Sequence, residues 1–247
     1  MPRIAAALLL FVLAGWAANA RALDCRALQF QDKRYTVCEA DLAQDRLRLF
    51  LNDGEGNPYK GFDSLRRALD ARGEQLVFAM NAGMYHPDYS PVGLYVAEGV
   101  ALSALNTASG SGNFFLKPNG VFYVGAAGAG ILETSRYMIM AKGADLATQS
   151  GPLLLKEGEI HPRFIASSDS LRVRNGVGIV SPLRVVFAIS DAPVNFYEFA
   201  LLFRDALGCR DALYFDGSIS SLYSTQLDRN DNLKPLGPII GVTRPMR

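Results

Sequence analysis

The segment from Leu213 to Leu222 combines residue types that could do chemistry. An apolar strand, Leu213-Tyr214-Phe215, runs directly into the carboxylate of Asp216, then Gly217 and the hydroxyl of Ser218. Burying a carboxylate at a strand end is costly unless it is paired, and a glycine lets the backbone approach a ligand closely. The segment predicts a site with Asp216 at its mouth. A turn in which Asp216 bonds its own backbone is the alternative.

Three further segments place polar residues beside a glycine at a predicted strand end. They are Asn81-Ala82-Gly83, Gln149-Ser150-Gly151-Pro152 and the run from Arg172 to Gly178. Each segment alone is most often a turn. Four such segments in one small domain exceed what turns need, and binding residues commonly lie on loops held by a rigid scaffold. The four segments together therefore predict a shared site.

Two arginines alternate along one of these segments. Arg172 and Arg174 are two residues apart, so on a strand both guanidinium groups point to the same face. Such a pair suits a phosphate or carboxylate, which accepts a planar guanidinium in bidentate fashion. The alternative is an exposed edge strand that carries ordinary surface charges.

The two histidines, His86 and His161, both lie beside these motifs. Either could act as an acid or base near neutral pH, although a lone histidine is more often structural. The histidines, cysteines and carboxylates show no metal-ligand spacing. We therefore expect no cofactor and no metal site. The alternative of a divalent cation bound through main-chain oxygens stays open.

The first residues have the pattern of a signal peptide. Arg3 precedes an apolar run from Ile4 to Ala18 that is short for a membrane span, and Ala18-Asn19-Ala20 fits a cleavage site. We expect residues 1–22 to be a signal peptide and residues 23–247 to form a single domain. The expected location is periplasmic or secreted, with no membrane anchor after cleavage.

The balance of charges limits the classes of binding partner, and the positions of the cysteines predict a disulfide. The chain has 25 basic and 24 acidic residues, which argues against a nucleic-acid or membrane-surface binder. Cys25 and Cys38 lie close together in sequence, whereas Cys209 is distant. In an oxidising compartment, a Cys25–Cys38 disulfide is favoured, and Cys209 is then a buried, inert thiol.

Two helices are predicted among many strands. One spans about Ser64 to Ala71 with Asp63 as its cap. The other spans Asn195 to Leu207, where Asn195 and Glu198 form a capping box. The apolar segments on either side of Pro118-Asn119-Gly120 predict a hairpin. Because strands outnumber helices without alternating with them, we expect an α+β fold with a mixed, mostly antiparallel β-sheet core and a few flanking helices.

The ordered set of motifs resembles the phosphodiester glycosidase domain family, and in particular its exported bacterial branch. That family includes the lysosomal enzyme that removes N-acetylglucosamine from a phosphodiester on mannose. The resemblance covers roughly Tyr35 to Arg244 and rests on the order and spacing of five segments, Asn81–Tyr85, Asn119–Phe122, Gln149–Pro152, Arg174–Val177 and Phe215–Ser218.

The resemblance implies an exported hydrolase that cleaves the glycosidic bond of a sugar-1-phosphodiester, with release of free sugar and a phosphomonoester. Asp216 is then the base or nucleophile, and Arg172 and Arg174 bind the phosphate. His161 protonates the leaving oxygen or binds phosphate.

Other residues of the motifs become candidates through the same resemblance. The resemblance implies that Asn81, a catalytic candidate, and Gln149, a substrate-binding candidate, orient the sugar hydroxyls. The remaining substrate-binding candidates are Tyr85, Asn175, Gly217 and Ser218. The animal enzymes carry a run of glycines after the aspartate, where this chain has Gly217-Ser218, so their sugar preference does not transfer.

Two alternatives stay open. The same cleft would serve a non-catalytic periplasmic module that binds anionic glycans. A phosphodiesterase that cuts the P–O bond is the weaker alternative, because that chemistry usually recruits metal ions. An unpaired carboxylate beside two arginines favours the glycosidase, since it gives a binder of anions no advantage.

Overall fold

The computed structural model describes residues 23–140 and 143–246. The predicted signal peptide, residues 1–22, lies outside the described residues. Within the described ranges, no helix combines the length and the hydropathy that crossing a membrane requires.

Short strands dominate the described part of the chain. They are β1 (Asp24–Phe30), β2 (Lys33–Asp41), β3 (Leu47–Phe50), β4 (Glu74–Asn81), β5 (Tyr95–Ala97), β6 (Val100–Ser103), β7 (Gly120–Gly125), β8 (Gly128–Glu133), β9 (Leu146–Ser150), β10 (Leu153–Lys156), β11 (Glu159–Ile160), β12 (Asn175–Ser181), β13 (Arg184–Ser190), β14 (Asp211–Asp216), β15 (Leu222–Ser224), β16 (Arg229–Asn230) and β17 (Ile239–Pro245). The helices are α1 (Phe62–Asp70), α2 (Thr134–Met140) and α3 (Phe196–Leu201), which continues as a π-helical turn over Leu202–Ala206.

The strands form three sheets. The first has the order β1-β2-β13-β12-β14-β10-β11, the second β16-β15-β4-β17-β3 and the third β6-β5-β9-β7-β8. Every pairing of named strands among the described residues is antiparallel. The α+β prediction is confirmed.

The three sheets share one apolar core. Phe187 of the first sheet lies between Phe78 of the second and Phe122 of the third, with ring centroids 5.1 and 6.3 Å apart, and all three rings are buried. On its other face the first sheet packs against Phe199 of α3 and Phe203 of the π-helical turn that follows it. Close packing on both faces gives the first sheet little freedom to shift.

Two local predictions need correction. The apolar segment before Pro118, predicted as the first strand of a hairpin, contains a 3₁₀ turn over Asn113–Phe115, so the hairpin is instead the pair β7–β8. The first helix begins at Phe62 with Gly61 as its N-cap, and Asp63 lies inside its first turn. A carboxylate there is still favourable, because it faces the positive end of the helix dipole.

The disulfide favoured from the sequence is present. Cys25 and Cys38 lie opposite each other on β1 and β2 and are bonded. Cys209 is free and buried, and burial raises the pKa of its thiol to about 12. A thiol with so high a pKa is protonated at neutral pH and is a poor nucleophile.

The capping box of α3 is confirmed. Asn195 Oδ1 accepts a hydrogen bond from Glu198 N (2.8 Å), and Glu198 Oε2 accepts one from Asn195 N (2.9 Å). Asn195 Nδ2 also donates to the carbonyl oxygens of Ala166 (3.0 Å) and Ser168 (3.2 Å). The side chain therefore joins α3 to the segment before β12.

Asn195→Ala is expected to lower the free energy of unfolding by about 1–2 kcal/mol, because it removes the cap and leaves two carbonyls without a donor. Urea unfolding followed by circular dichroism measures the change. Asn232→Ala, at an exposed asparagine, is the matched control. An equal effect of the two substitutions would contradict the role given to Asn195.

Candidate active site

Strand ends from the three sheets meet at one place. Asn81 ends β4, Ser150 ends β9, and Asp216 ends β14 directly opposite Asn175 at the start of β12. The hydroxyl of Ser150 donates to the carbonyl oxygen of Phe215 (3.1 Å). The structure thus brings together four of the polar motifs that the sequence singled out.

A buried pair of amides ties these ends together. Asn81 Nδ2 donates to Asn175 Oδ1 (3.2 Å), and Asn175 Nδ2 donates to the carbonyl oxygen of Asn81 (2.9 Å). Asn81 Oδ1 accepts from Ser221 N (2.9 Å). The Ser220 hydroxyl lies within hydrogen-bond distance of Asn175 Oδ1 (3.3 Å) and of the Asp216 carbonyl oxygen (2.9 Å). The pair therefore holds the turn that follows Asp216.

Asp216 is 9% exposed. Its Oδ1 accepts hydrogen bonds from the main-chain N–H groups of Ser218 and Ile219, the second at 3.1 Å. Burial raises the pKa of the carboxyl group, while those amides and the positive charge of Lys234 act in the opposite direction. Because burial is the largest effect, the net pKa lies above the ordinary aspartate value.

Asp216 lines a cavity of about 500 Å³, which we call the Asp216 cavity. The side chains around it include Tyr85, His86, Asn113 and Ser218. Neither Asn81 nor Asn175 belongs to its lining, and both are fully buried. These two asparagines are therefore placed to position Asp216 from behind.

Tyr85 forms one wall of the Asp216 cavity. Its hydroxyl donates to the carbonyl oxygen of Pro235 (2.6 Å), and its ring stacks on Tyr89 with centroids 5.5 Å apart. Burial and the negative charge of Asp216 raise the pKa of the Tyr85 phenol. Tyr85 thus remains a neutral group close to the carboxylate, and its role in substrate binding stays a prediction.

Arg174 does not face the cavity. The residue precedes β12 and is 1% exposed, and its guanidinium donates to the carbonyl oxygens of Val194 (2.8 Å) and Ser170 (2.8 Å). It also donates to the Tyr214 hydroxyl (3.3 Å) and lies 3.7 Å from the centroid of the Phe196 ring. Burial lowers the pKa of this guanidinium.

The structure does not present Arg172 and Arg174 as a pair of guanidinium groups open to one ligand. Both residues precede β12, where Arg172 forms an isolated antiparallel bridge with Val194, and Arg172 is exposed whereas Arg174 is buried. The Arg172 guanidinium donates to the carbonyl oxygen of Leu171 (2.7 Å). A Cβ at residue 217 would lie 3.3 Å from the Arg172 Cβ and would collide with the Tyr214 hydroxyl. Gly217 therefore allows Arg172 to lie beside the turn that follows Asp216.

The side-chain amide of Gln149 bonds to other groups of the protein. Its Oε1 accepts from the main-chain N–H groups of Leu94 (3.0 Å) and Asn106 (2.8 Å). Its Nε2 donates to the carbonyl oxygen of Asn106 (2.7 Å) and to the Thr134 hydroxyl (3.1 Å). Both donors and both acceptor positions are used, so this geometry does not support the predicted contact with sugar hydroxyls.

His161 lies in a different cavity, of about 330 Å³, between Pro118 and Ile160. Its Nδ1 accepts from Arg163 N (3.2 Å), and its ring stacks on Phe164 with centroids 4.7 Å apart. Burial lowers the pKa of the imidazole. The structure does not bring His161 to Asp216, so its placement does not support the predicted role on the leaving oxygen.

Three residues of the site lie outside the predicted catalytic and binding set. The sequence marks His86 only as a possible acid or base, and it lines the Asp216 cavity. Asn113 lines the same cavity and its side chain interacts with Tyr214. Lys234 is exposed and close enough to Asp216 to favour the ionised carboxylate. Nothing in the local sequence marks Asn113 or Lys234, because tertiary folding alone places them here.

Comparisons with known proteins identify similar sequences and folds. The chain is 37% identical over 223 residues to the uncharacterized protein YigE of Escherichia coli (strain K12), covering 90% of this chain and 85% of the relative.

Two solved structures show the same fold. The first is the catalytic domain of zebrafish N-acetylglucosamine-1-phosphodiester alpha-N-acetylglucosaminidase, auto-inhibited by its pro-peptide (TM-score 0.63, 12% identity, 91% of this chain and 84% of that chain). The second is a hypothetical protein from Synechocystis (TM-score 0.53, 15% identity, 89% of this chain and 61% of that chain). The sequence profile of the phosphodiester glycosidase family matches residues 74–243. The strand-end motifs, the fold and the profile agree, and the chain belongs to the phosphodiester glycosidase family.

Proposed function

We propose that this protein is an exported hydrolase that cleaves the glycosidic bond of sugar-1-phosphodiesters and releases free sugar and a phosphomonoester. The observation that carries the proposal is Asp216, a 9% exposed carboxylate at the edge of a cavity of about 500 Å³. Its position at a strand end and its raised pKa are typical of a catalytic group. Family membership adds the class of substrate.

Asp216 acts at the anomeric carbon in this proposal. As a base it takes a proton from a water molecule that attacks this carbon. As a nucleophile it attacks the carbon itself and forms a glycosyl ester, which water then hydrolyses to release the sugar and regenerate the carboxylate. In either case the bond from the anomeric carbon to the phosphate oxygen breaks, and its electron pair leaves with the phosphate. A phosphate leaving group needs less proton assistance than an alcohol does, so a strong general acid is less necessary here than in an ordinary glycosidase.

The positive charge for the phosphate comes from exposed side chains beside Asp216. Arg172 lies next to Gly217, and Lys234 acts on Asp216 through its charge. A guanidinium can bind a phosphate with two parallel hydrogen bonds. Arg174 supports the site from behind, since its donors already bind protein oxygens.

A non-catalytic module for anionic glycans is the alternative function, and the same exposed cations favour it. The burial of Asp216 counts against it. A carboxylate beside the phosphate position repels an anionic ligand, so a binding module would gain affinity by losing it.

Asp216→Asn is expected to lower turnover of sugar-1-phosphodiesters at least about a hundredfold, because it removes the group that attacks or activates water. The assay measures free sugar and phosphomonoester from a panel of such diesters, with a parallel arm in EDTA that tests the expectation of no metal. Asp228→Asn, at an exposed carboxylate, is the control. A folded Asp216→Asn protein with full activity would refute this role.

The same substitution is expected to raise the melting temperature at pH 7. Because the folded-state pKa of Asp216 is raised, its stabilising contribution is complete below the ordinary aspartate value and is lost as pH rises through the folded value. An asparagine never ionises and avoids that loss. Calorimetry at pH 7 and at pH about 3, below the ordinary aspartate pKa, should show the two proteins converge at the lower pH.

The pH dependence of activity follows from the same group. Turnover needs the ionised carboxylate, so it should fall as pH falls through the raised pKa of Asp216. The acid limb of the rate profile is expected above the ordinary aspartate range. An acid limb within that range would contradict the assignment.

Arg172→Ala is expected to raise the Kd of a sugar-1-phosphodiester about tenfold, because it removes a charge-assisted contact. The Kd of the free sugar should not change. Calorimetric titrations in the Asp216→Asn background separate binding from turnover, and Arg67→Ala, at an exposed arginine of α1, is the control. Equal losses for both ligands would argue against a phosphate contact.

A further inference from the structure

The aromatic wall of the Asp216 cavity continues onto the protein surface. Tyr85 lines the cavity, and its ring stacks on Tyr89 with centroids 5.5 Å apart and planes 12° from parallel. Lys60 Nζ lies over the Tyr89 ring, 4.7 Å from its centroid. Each separation is comparable to the length of one sugar residue. Tyr85, Tyr89 and Lys60, which we call the Lys60 surface, therefore lead from the cavity to an exposed cation.

The main chain fixes Lys60 beside the candidate active site. The Lys60 carbonyl oxygen accepts a hydrogen bond from Leu236 N (3.0 Å), and the two residues form an isolated antiparallel bridge. One residue before Leu236, the carbonyl oxygen of Pro235 accepts a hydrogen bond from the Tyr85 hydroxyl (2.6 Å). Lys234, the cation that acts on the catalytic carboxylate, precedes Pro235. This short segment thus connects the cation of the site to the Lys60 surface.

Lys60 and Tyr89 both have left-handed backbone conformations, with φ of 58° and 69°. Such conformations are unfavourable for residues with a bulky side chain. The other described non-glycine residues with a positive φ lie in turns between consecutive paired strands, at Gln31, Asp32, Glu98, Glu157 and Asp228. Lys60 instead lies between β3 and α1, and Tyr89 between β4 and β5, which belong to different sheets. Because strained residues cluster at ligand-binding sites, the strain is a second observation that points to a ligand here.

The charge of the Lys60 surface is available to a ligand. Lys60 and Lys234 form no ion pair within the part of the chain that the structure describes. An ammonium group without a carboxylate partner attracts an anion that comes close to it. Contact with the Tyr89 ring also restricts the lysine side chain before it binds, which lowers the entropic cost of binding. The surface therefore presents an ordered cation beyond two aromatic rings.

This arrangement fits a ligand in which a sugar ring is followed by a negative charge. The C–H face of a sugar can pack on the tyrosine rings, and an anionic group can bind Lys60. We propose that the substrate is an anionic glycan with at least two negative groups, the scissile phosphodiester at Asp216 and a second phosphodiester or a carboxylate at Lys60. This inference rests on the proposed function and deepens it by naming the charge pattern of the substrate.

Three linear glucose trimers test the proposal by calorimetric titration into Asp216→Asn protein. The first trimer has a phosphodiester at both of its 1→6 linkages. The second has one phosphodiester and one neutral glycosidic bond, and the third is the second with its terminal glucose replaced by glucuronate. The first trimer is expected to bind with a Kd about tenfold lower than that of the second. The Kd of the third shows whether a carboxylate can take the place of the second phosphodiester.

Substitutions of Lys60 locate the contact. Lys60→Gln removes the charge and should reduce the Kd ratio of the second trimer to the first from about ten to about one. Lys60→Arg keeps the charge and should keep the ratio. Arg210→Gln, at an exposed arginine beside the end of β14 opposite Asp216, removes a charge elsewhere and is the control. Equal Kd values for the first two trimers, or a ratio that survives Lys60→Gln, would overturn the inference.

Hydrolysis of the same trimers by the wild-type protein separates this inference from the proposed function. If no trimer is cleaved, the proposed function fails, and the Kd ratios still decide whether Lys60 binds a second anion. If the trimers are cleaved but the first two bind equally well, the proposed function stands and the inference fails. A rise in salt concentration should lower the Kd ratio, because exposed charges are screened, and a ratio independent of salt would contradict a contact with Lys60.

Discussion

The amide pair between Asn81 and Asn175 is the interaction on which the site depends. It bridges the end of β4 in the second sheet and the start of β12 in the first, and it is fully buried. The loss of either partner would leave buried donors or acceptors unpaired, at a cost of about 1–3 kcal/mol for each group. Through Ser221 and Ser220 the pair also fixes the turn after Asp216. The position of the carboxylate is therefore set by how two sheets meet.

The site contains two buried charged side chains, Asp216 and Arg174, although burial disfavours a charge. Asp216 is stabilised by two main-chain amides in place of an arginine partner. Nearby, Arg174 is stabilised by carbonyl oxygens, a tyrosine hydroxyl and an aromatic ring in place of a carboxylate. Arg174 and Asp216 thus have separate partners. A direct ion pair between them would occupy the Asp216 carboxylate, whereas their separate partners leave it available to a ligand.

The sequence predicts those parts of the structure that depend on local interactions. Asp216 follows an apolar strand, and Asn195 with Glu198 matches a local capping pattern, so both positions could be inferred from neighbouring residues. The direction of the Arg174 side chain could not be inferred in this way. It is set by contacts with Ser170 and with Phe196 of α3, and not by the two-residue period of a strand. The geometry does not support the predicted roles of His161 and Gln149 for a similar reason. Their motifs place them near strand ends, but tertiary contacts decide what their side chains face.

The contacts that hold Asp216 are separate from those that hold the neighbouring surface at residues 104–108. The first and second sheets hold Asp216 through Asn81 and Asn175, whereas Gln149 of the third sheet bonds to the main chain of Asn106. Substitutions at residues 104–108 can therefore change the shape of this surface without disturbing the contacts of Asp216. Loops on a rigid scaffold commonly carry such variation. On this argument, family members should differ more in the segment after β6 than in the strand ends around Asp216.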